Sequence, residues 1–162
     1  MQRFGCVLAT ALSPEARCAY VDGISFERDA LFGVYADDLT LLGVAHLACL
    51  EGAAELGISV PAPYQNHGIG TALFERATIH ARNLQIAELF MNCLSHNAAM
   101  LSIARKAGMR IVIDNAGADA YLELPPGTPF TVGQEFAEQR VALLDWTFKS
   151  NVKSLRRLAQ VD

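Results

Sequence analysis

The chain has 162 residues, 52% of them hydrophobic and 19% charged, with a formal net charge of −4. That length suits one domain with a substantial core, and the composition excludes a disordered chain. No large basic patch precedes residue 149, so a nucleic-acid partner is not expected. No charge-free apolar run reaches the roughly 18 residues that mark a membrane span.

At the start, Met1–Cys6 leads into a short apolar run, Val7–Leu12. With one charge, and Ser13-Pro14-Glu15 directly after it, this is a poor secretory leader. Cys6, Cys18, Cys49 and Cys93 lack metal-like spacing, and no metal is expected. Cys49 and Cys93 lie in strand-like runs and read as buried thiols, so a reducing cytoplasm is the expected compartment. Ser13–Tyr20 reads as a short helix opened by Ser13-Pro14.

Leu31–Tyr35 and Leu39–Leu50 read as strands joined by the Asp37-Asp38 turn, which makes a hairpin. Ala54–Val60 is the third strand, after a turn at Glu51-Gly52. In Ile69–Leu84, Ile69, Leu73, Ala77, Ala81 and Leu84 recur at helical spacing and share one buried face. Glu88–Leu94 is a strand. Asn97 caps the next helix, and Gly108 suits its exit. Met109–Asp114 and Ala118–Leu124 form a final hairpin around Asn115-Ala116-Gly117. The order predicts an α/β fold with a mixed sheet.

Pro125-Pro126-Gly127 closes a first unit, residues 1–127. Residues 128–162 form an amphipathic helical extension, helical from about Gly133 to Ala159. Ala137, Val141, Leu144, Phe148, Val152, Leu155 and Ala159 make a near-heptad stripe. The favoured reading is a helix docked on its own sheet. The sharper one is a dimerisation helix, and hence a homodimer. Lys149, Lys153, Arg156 and Arg157 complement the helix dipole as a solvated basic end.

Gln65-Asn66-His67-Gly68-Ile69-Gly70-Thr71 lies where a loop turns into a helix. Gly68 and Gly70 allow unusual backbone angles and close approach. The unpaired N–H groups and partial positive charge of a first helical turn suit a phosphate. No Lys follows Gly70, so this is not a P-loop, and Leu73 stands where a Rossmann fingerprint needs a small residue.

Gln65-x-x-Gly68-x-Gly70 resembles the Gln/Arg-x-x-Gly-x-Gly/Ala signature of the GNAT acetyltransferase superfamily. Asn97-Ala-Ala-Met100-Leu-Ser-Ile103-Ala-Arg-Lys106-Ala-Gly108-Met109 is similar to that family's Asn-x-x-Ala-x-x-Leu-Tyr-x-Lys-x-Gly-Phe helix. The resemblance runs from about Leu31 to Leu124. It implies a mixed, mostly antiparallel sheet flanked by helices; this chain departs from the family in a shortened N-terminal part of about 30 residues before the first hairpin, and it carries the long C-terminal helix besides. It also implies acetyl-CoA held between two splayed strands, and acyl transfer to an amine acceptor, a small molecule or a protein lysine.

In such enzymes the strand before the loop offers backbone groups to the pantetheine arm, here Ile58, Ser59 and Val60. The loop residues Gln65, Asn66, His67, Gly68, Ile69, Gly70 and Thr71 hold the pyrophosphate. His67 replaces a frequent Arg or Lys. By the same resemblance Asn97 and Met100 contact the cofactor.

Strand alternation puts Ala54, Leu56, Ile58 and Val60 on one face, and Glu55, Gly57 and Ser59 on the other. A carboxylate on an apolar strand is costly to bury. If it faces the cleft, Glu55 suits a general base; the alternative is a solvated strand end beside Gly52. An acidic residue at this place resembles the Pat-type protein lysine acetyltransferases. The Tyr that protonates the leaving thiolate in many relatives is replaced by Ala104, a departure the Pat-like branch shares. That leaves a binding-only acyl-CoA sensor, or an oligomerising interaction module, as alternatives to the enzyme. His46 and His80 read as structural or packing residues, and His96 as a residue able to line the cleft.

Overall fold

Period-two and period-3.6 apolar patterns alternate along the chain, and the computed structural model follows them. It describes residues 14–114 and 117–158. The elements are helix α1 (Pro14–Asp22), strands β1 (Ala30–Tyr35), β2 (Leu41–Cys49) and β3 (Ala53–Ser59), helix α2 (Ile69–Asn83), strand β4 (Glu88–Leu94), helix α3 (Ala98–Lys106), strands β5 (Arg110–Asp114) and β6 (Gly117–Glu123), and helix α4 (Pro129–Leu158). A short 3-10 turn, Ala62–Tyr64, follows β3. Ser13 and the tip residues Asn115 and Ala116 lie outside the described residues.

The sheet order is β1-β2-β3-β4-β6-β5. β3 and β4 pair in parallel, and the other four pairings are antiparallel. The sheet is thus mixed and mostly antiparallel, as expected. On one face, Ala45, Leu47, Ala54, Leu56, Leu89 and Met91 pack against Leu73, Phe74, Ala77 and Ala81 of α2. The predicted apolar face of α2 is correct except at its end. Leu84 is the C-cap and 50% exposed. Gln85 then turns into the left-handed region at φ 60°, which carries the chain away from the helix.

The opposite sheet face carries the polar residues. Ala48 pairs with Glu55 and His46 with Gly57, so these four side-chain positions point the same way. The Tyr20 hydroxyl of α1 meets His46 there, at 2.6 Å.

Helix α4 starts four residues before the expected Gly133. Thr128 caps it: its Oγ1 accepts from the Thr131 N–H at 3.2 Å, and Thr131 Oγ1 accepts from the Thr128 N–H at 2.8 Å. Pro129 takes the first helical position, where a missing N–H costs nothing. Its docking also differs from the favoured reading. A polar edge, not the apolar stripe, meets the domain. Thr131 and Glu135 are buried against α2, whereas Val141, Leu144 and Phe148 are 66%, 70% and 70% exposed. Lys149 and Lys153 donate to the backbone carbonyls of Tyr35 and Asp38 at 3.2 and 2.9 Å. They dock the helix end instead of standing as a solvated basic end. The side chains of Leu155, Arg156, Arg157 and Ala159 lie outside the described ones.

Candidate active site

β3 and β4 pair only where Ala53–Glu55 meet Glu88–Phe90. Past that point β4 stays with β6 as far as Leu94, while the rest of β3 has no partner on this side. The gap opens into a cleft of about 550 Å³, within the size range of small-molecule sites. It is lined by Glu55 to Val60, by the loop and start of α2 and by one side of α3.

The loop residues form one wall. Gln65, Asn66, Gly68, Ile69, Gly70 and Thr71 all line the cleft. Gly68 sits at φ 81° as the N-cap of α2, with no side chain capping that helix. A Cβ there would strain the backbone. The first amides of α2 are therefore available to an anion. Gly70 serves a different need: a Cβ on it would lie 3.0 Å from Ile103 Cδ1, so its absence lets α3 approach. Gln65 Nε2 donates to the Val60 carbonyl at 2.9 Å, which fixes the loop to the end of β3. His67 is placed differently from its neighbours. Its ring donates to the Gln65 carbonyl at 2.7 Å, and it is exposed and absent from the cleft wall.

On the α3 side, Asn97 and Met100 line the cleft. Asn97 Oδ1 accepts from the Met100 N–H at 3.2 Å, the expected cap. Ala104 is buried in the core, at 2% exposed. Lys106 reaches the cleft wall as its cation, joined there by His96 and Ser102.

Glu55 stands where the strands part. It is 8% exposed, so it is no solvated strand end. Its Oε1 accepts from Asn92 Nδ2 at 2.9 Å. Tyr20 lines the same end of the cleft. Burial pushes the Tyr20 phenol up from its ordinary value, and the carboxylates of Glu55 and Asp29 add to this. Its hydroxyl shares a hydrogen bond with His46 Nδ1. His46 is 6% exposed. Its Nε2 lies 3.3 Å from Asp29 Oδ2, off line for a hydrogen bond. Asp29 in turn accepts the N–H groups of Ser25 at 2.9 Å and Cys49 at 3.2 Å. Among the described residues no group of His, Cys, Asp and Glu is arranged to hold a metal. No described helix is long and apolar enough to cross a membrane.

Residues 2–110 match the family model described as acetyltransferase (GNAT) domain. The chain belongs to the GNAT acetyltransferase family.

Solved structures agree on the fold. An acetyltransferase from Bacillus subtilis, crystallised with CoA, has a TM-score of 0.58 at 22% identity, over 74% of this chain and 90% of that one. The ribosomal-protein-S18-alanine N-acetyltransferase of Escherichia coli gives 0.58 at 20% identity, over 74% and 81%. The ribosomal-protein-alanine N-acetyltransferase of Brucella melitensis gives 0.59 at 16%, over 71% and 81%. No curated protein matches the chain.

The family's co-substrate is acetyl-CoA, and the cleft suits it. Around it stand the first amides of α2, the Lys106 side chain, and the β3 backbone from Leu56 to Ser59, which has no β4 partner. Sequence reasoning missed Tyr20, Tyr64, Asn92 and Lys106 as cleft residues. Lys106 was within reach, since it stands in the α3 motif. Asn92 was signalled by one polar residue inside the apolar β4. Tyr20 comes from a distant helix, and local pattern carries no sign of it.

Proposed function

We propose that the protein moves the acetyl group of acetyl-CoA to a primary amine, with Glu55 as general base. The observation that carries this is a buried carboxylate, held by Asn92, at the point where β3 and β4 part. A protonated amine has no lone pair for attack, so a group beside the thioester must take a proton. Glu55 is the carboxylate in the cleft wall. The Ile58–Val60 backbone and Asn97 hold the pantetheine arm, with Met100 against it. The Gln65–Thr71 amides, with Lys106, hold the phosphates. His67 serves by shaping the loop through its bond to the Gln65 carbonyl. A cation paired with Glu55 suits a lysine side chain on a protein, and the cytoplasm suits such a substrate.

The test is turnover of acetyl-CoA, read as CoA thiol released, with lysine peptides, peptides with a free amino terminus and small amines. Release with one of these classes, abolished by Glu55→Gln, supports the reading. Acetyl-CoA binding without turnover on any of them overturns it and leaves a binding domain.

The stripe Ala137-Val141-Leu144-Phe148 on α4 supports a second element of the reading, a homodimer through this helix. All four side chains are exposed, at the spacing of a two-helix seam.

A further inference from the structure

Strand β5 is one edge of the sheet and pairs only with β6, in a register without a break. Among the described residues no strand lies along its outer side, so a row of backbone N–H and C=O groups faces outward there. The other edge of the sheet differs. β1 has a register shift between Val34 and Tyr35, and Lys149 of α4 donates to the Tyr35 carbonyl. Shifts and lysines of this kind blunt an edge against pairing. β5 contains no shift, no proline and no lysine, and its Val112 and Ile113 are 46% and 60% exposed.

The order of its residues is symmetric. Arg110-Ile111-Val112-Ile113-Asp114 has Val112 at its centre, an isoleucine on each side and opposite charges at its ends. Laid antiparallel to itself about Val112, the strand sets Arg110 against Asp114, Ile111 against Ile113 and Val112 against Val112. Residues directly opposed in this way share a face of the sheet and touch. One face then carries an ion pair on each side of a valine pair, and the other carries two isoleucine pairs. An in-register parallel pairing sets like charges against each other instead. Arg110 stands 4.8 Å over the Tyr121 ring, on the same sheet face as Asp114. Among the described residues neither Arg110 nor Asp114 is in an ion pair.

We propose that β5 pairs antiparallel with β5 of a second copy, centred on Val112, and so joins two sheets into one. The seam is five residues long, too small to hold two chains by itself at micromolar concentration. It acts between chains already paired through α4, and the proposal rests on that pairing. Helix α4 meets α2 and the β1–β2 turn, whereas β5 lies at the opposite end of the sheet from β1. The two contacts therefore use different surfaces. Two α4 pairs close through two β5 seams, and the second seam forms within one particle, which strengthens both.

The test is sedimentation of the full chain at micromolar concentration, as the parent and with the end charges altered. The parent should sediment as four chains. Arg110→Glu opposes two carboxylates at each end of the seam, and Asp114→Lys opposes two cations. Each change turns two attractive pairs into repulsive ones and should weaken the seam about 30-fold, leaving two chains. Mixed in equal amounts, the two variants again place opposite charges at both ends, and the four-chain species should return. It should also return in the Arg110→Glu/Asp114→Lys double variant. A return in the mixture shows that neither single change had unfolded the domain. A parent of two chains, single variants that keep four, or a mixture that stays at two each overturn the seam and leave the α4 pair. A parent of single chains overturns the α4 pair and the seam with it.

Discussion

Asn92 Nδ2 reaches Glu55 Oε1 at 2.9 Å, from a strand that has stopped pairing with the strand that bears Glu55. The side chains bridge a gap that the backbones have opened. One carboxylate oxygen is thereby held, and the carboxylate is aimed into the cleft. On the proposed mechanism, Glu55→Gln keeps the shape and removes the base. Its kcat should fall about 10²- to 10⁴-fold, while acetyl-CoA affinity stays near the parent value by calorimetry. Asn92→Leu should give a smaller loss in kcat, about 10-fold, because the base remains but is less well oriented. A Glu55→Gln enzyme with parental kcat would remove Glu55 from the mechanism.

The two loop glycines should respond differently to the same change. Gly68→Ala puts a Cβ on a residue at φ 81°, at a cost of about 1–2 kcal/mol, and shifts the first amides of α2, the proposed phosphate donors. Gly70→Ala meets only the end of the Ile103 side chain, at 3.0 Å, and that flexible methyl can yield. Acetyl-CoA should bind about tenfold more weakly to Gly68→Ala and nearly normally to Gly70→Ala. Calorimetric titration of both variants decides the matter, and equal affinities would contradict the assignment.

Acetyl-CoA should also raise the melting temperature. Ligand at 100 times its dissociation constant adds about 2.7 kcal/mol, or about 5–11 °C for a domain of this size. CoA should do the same and ATP or NADH should not. Lys106→Ala should shrink the shift if its ammonium meets a phosphate.

Glu135 joins α4 to α2. Burial pushes its carboxyl up, but hydrogen bonds from Asn83 and His80 and the charges of His80 and Arg76 outweigh this, so it lies below its ordinary 4.5. A carboxylate depressed in the folded state stabilises it fully above the unfolded value. That contribution is lost as pH falls through the folded value. Glu135→Gln should therefore cost about 1–3 kcal/mol at pH 7. The gap to the parent should close on acidification below about pH 4.5. Denaturant melts of both proteins at several pH values test this, and a gap that widens in acid would refute it.

If α4 pairs with a second copy, Leu144→Glu together with Phe148→Glu should yield a monomer by sedimentation, with little change in unfolding of the domain itself. Both side chains are 70% exposed, so the charges meet water in a lone chain. A parent that is already monomeric at micromolar concentration would end the dimer reading.

The sheet was legible because its strands alternate cleanly and its turns are marked by Asp, Gly and Asn. The Gln65–Thr71 loop and the Asn97 cap were legible because each acts within a few residues of itself. The start of α4 was written in Thr128-Pro129 and Thr131, but the threonine pair is an unusual capping box and passes for loop. The orientation of α4 was not legible. An apolar stripe gives a face but not what covers it, and here Arg76, His80 and Asn83 of α2 draw in the polar edge through Glu135. Tyr20 and His46 meet across 26 positions, a contact that only the completed sheet can form.

Helix α4 is pinned near its start to α2 through Glu135 and near its end to the β1–β2 turn through Lys149 and Lys153. It is a strut between the helix that begins at the cleft wall and the hairpin that carries His46. Whatever grips or bends its exposed middle therefore loads α2 and the β1–β2 hairpin at once.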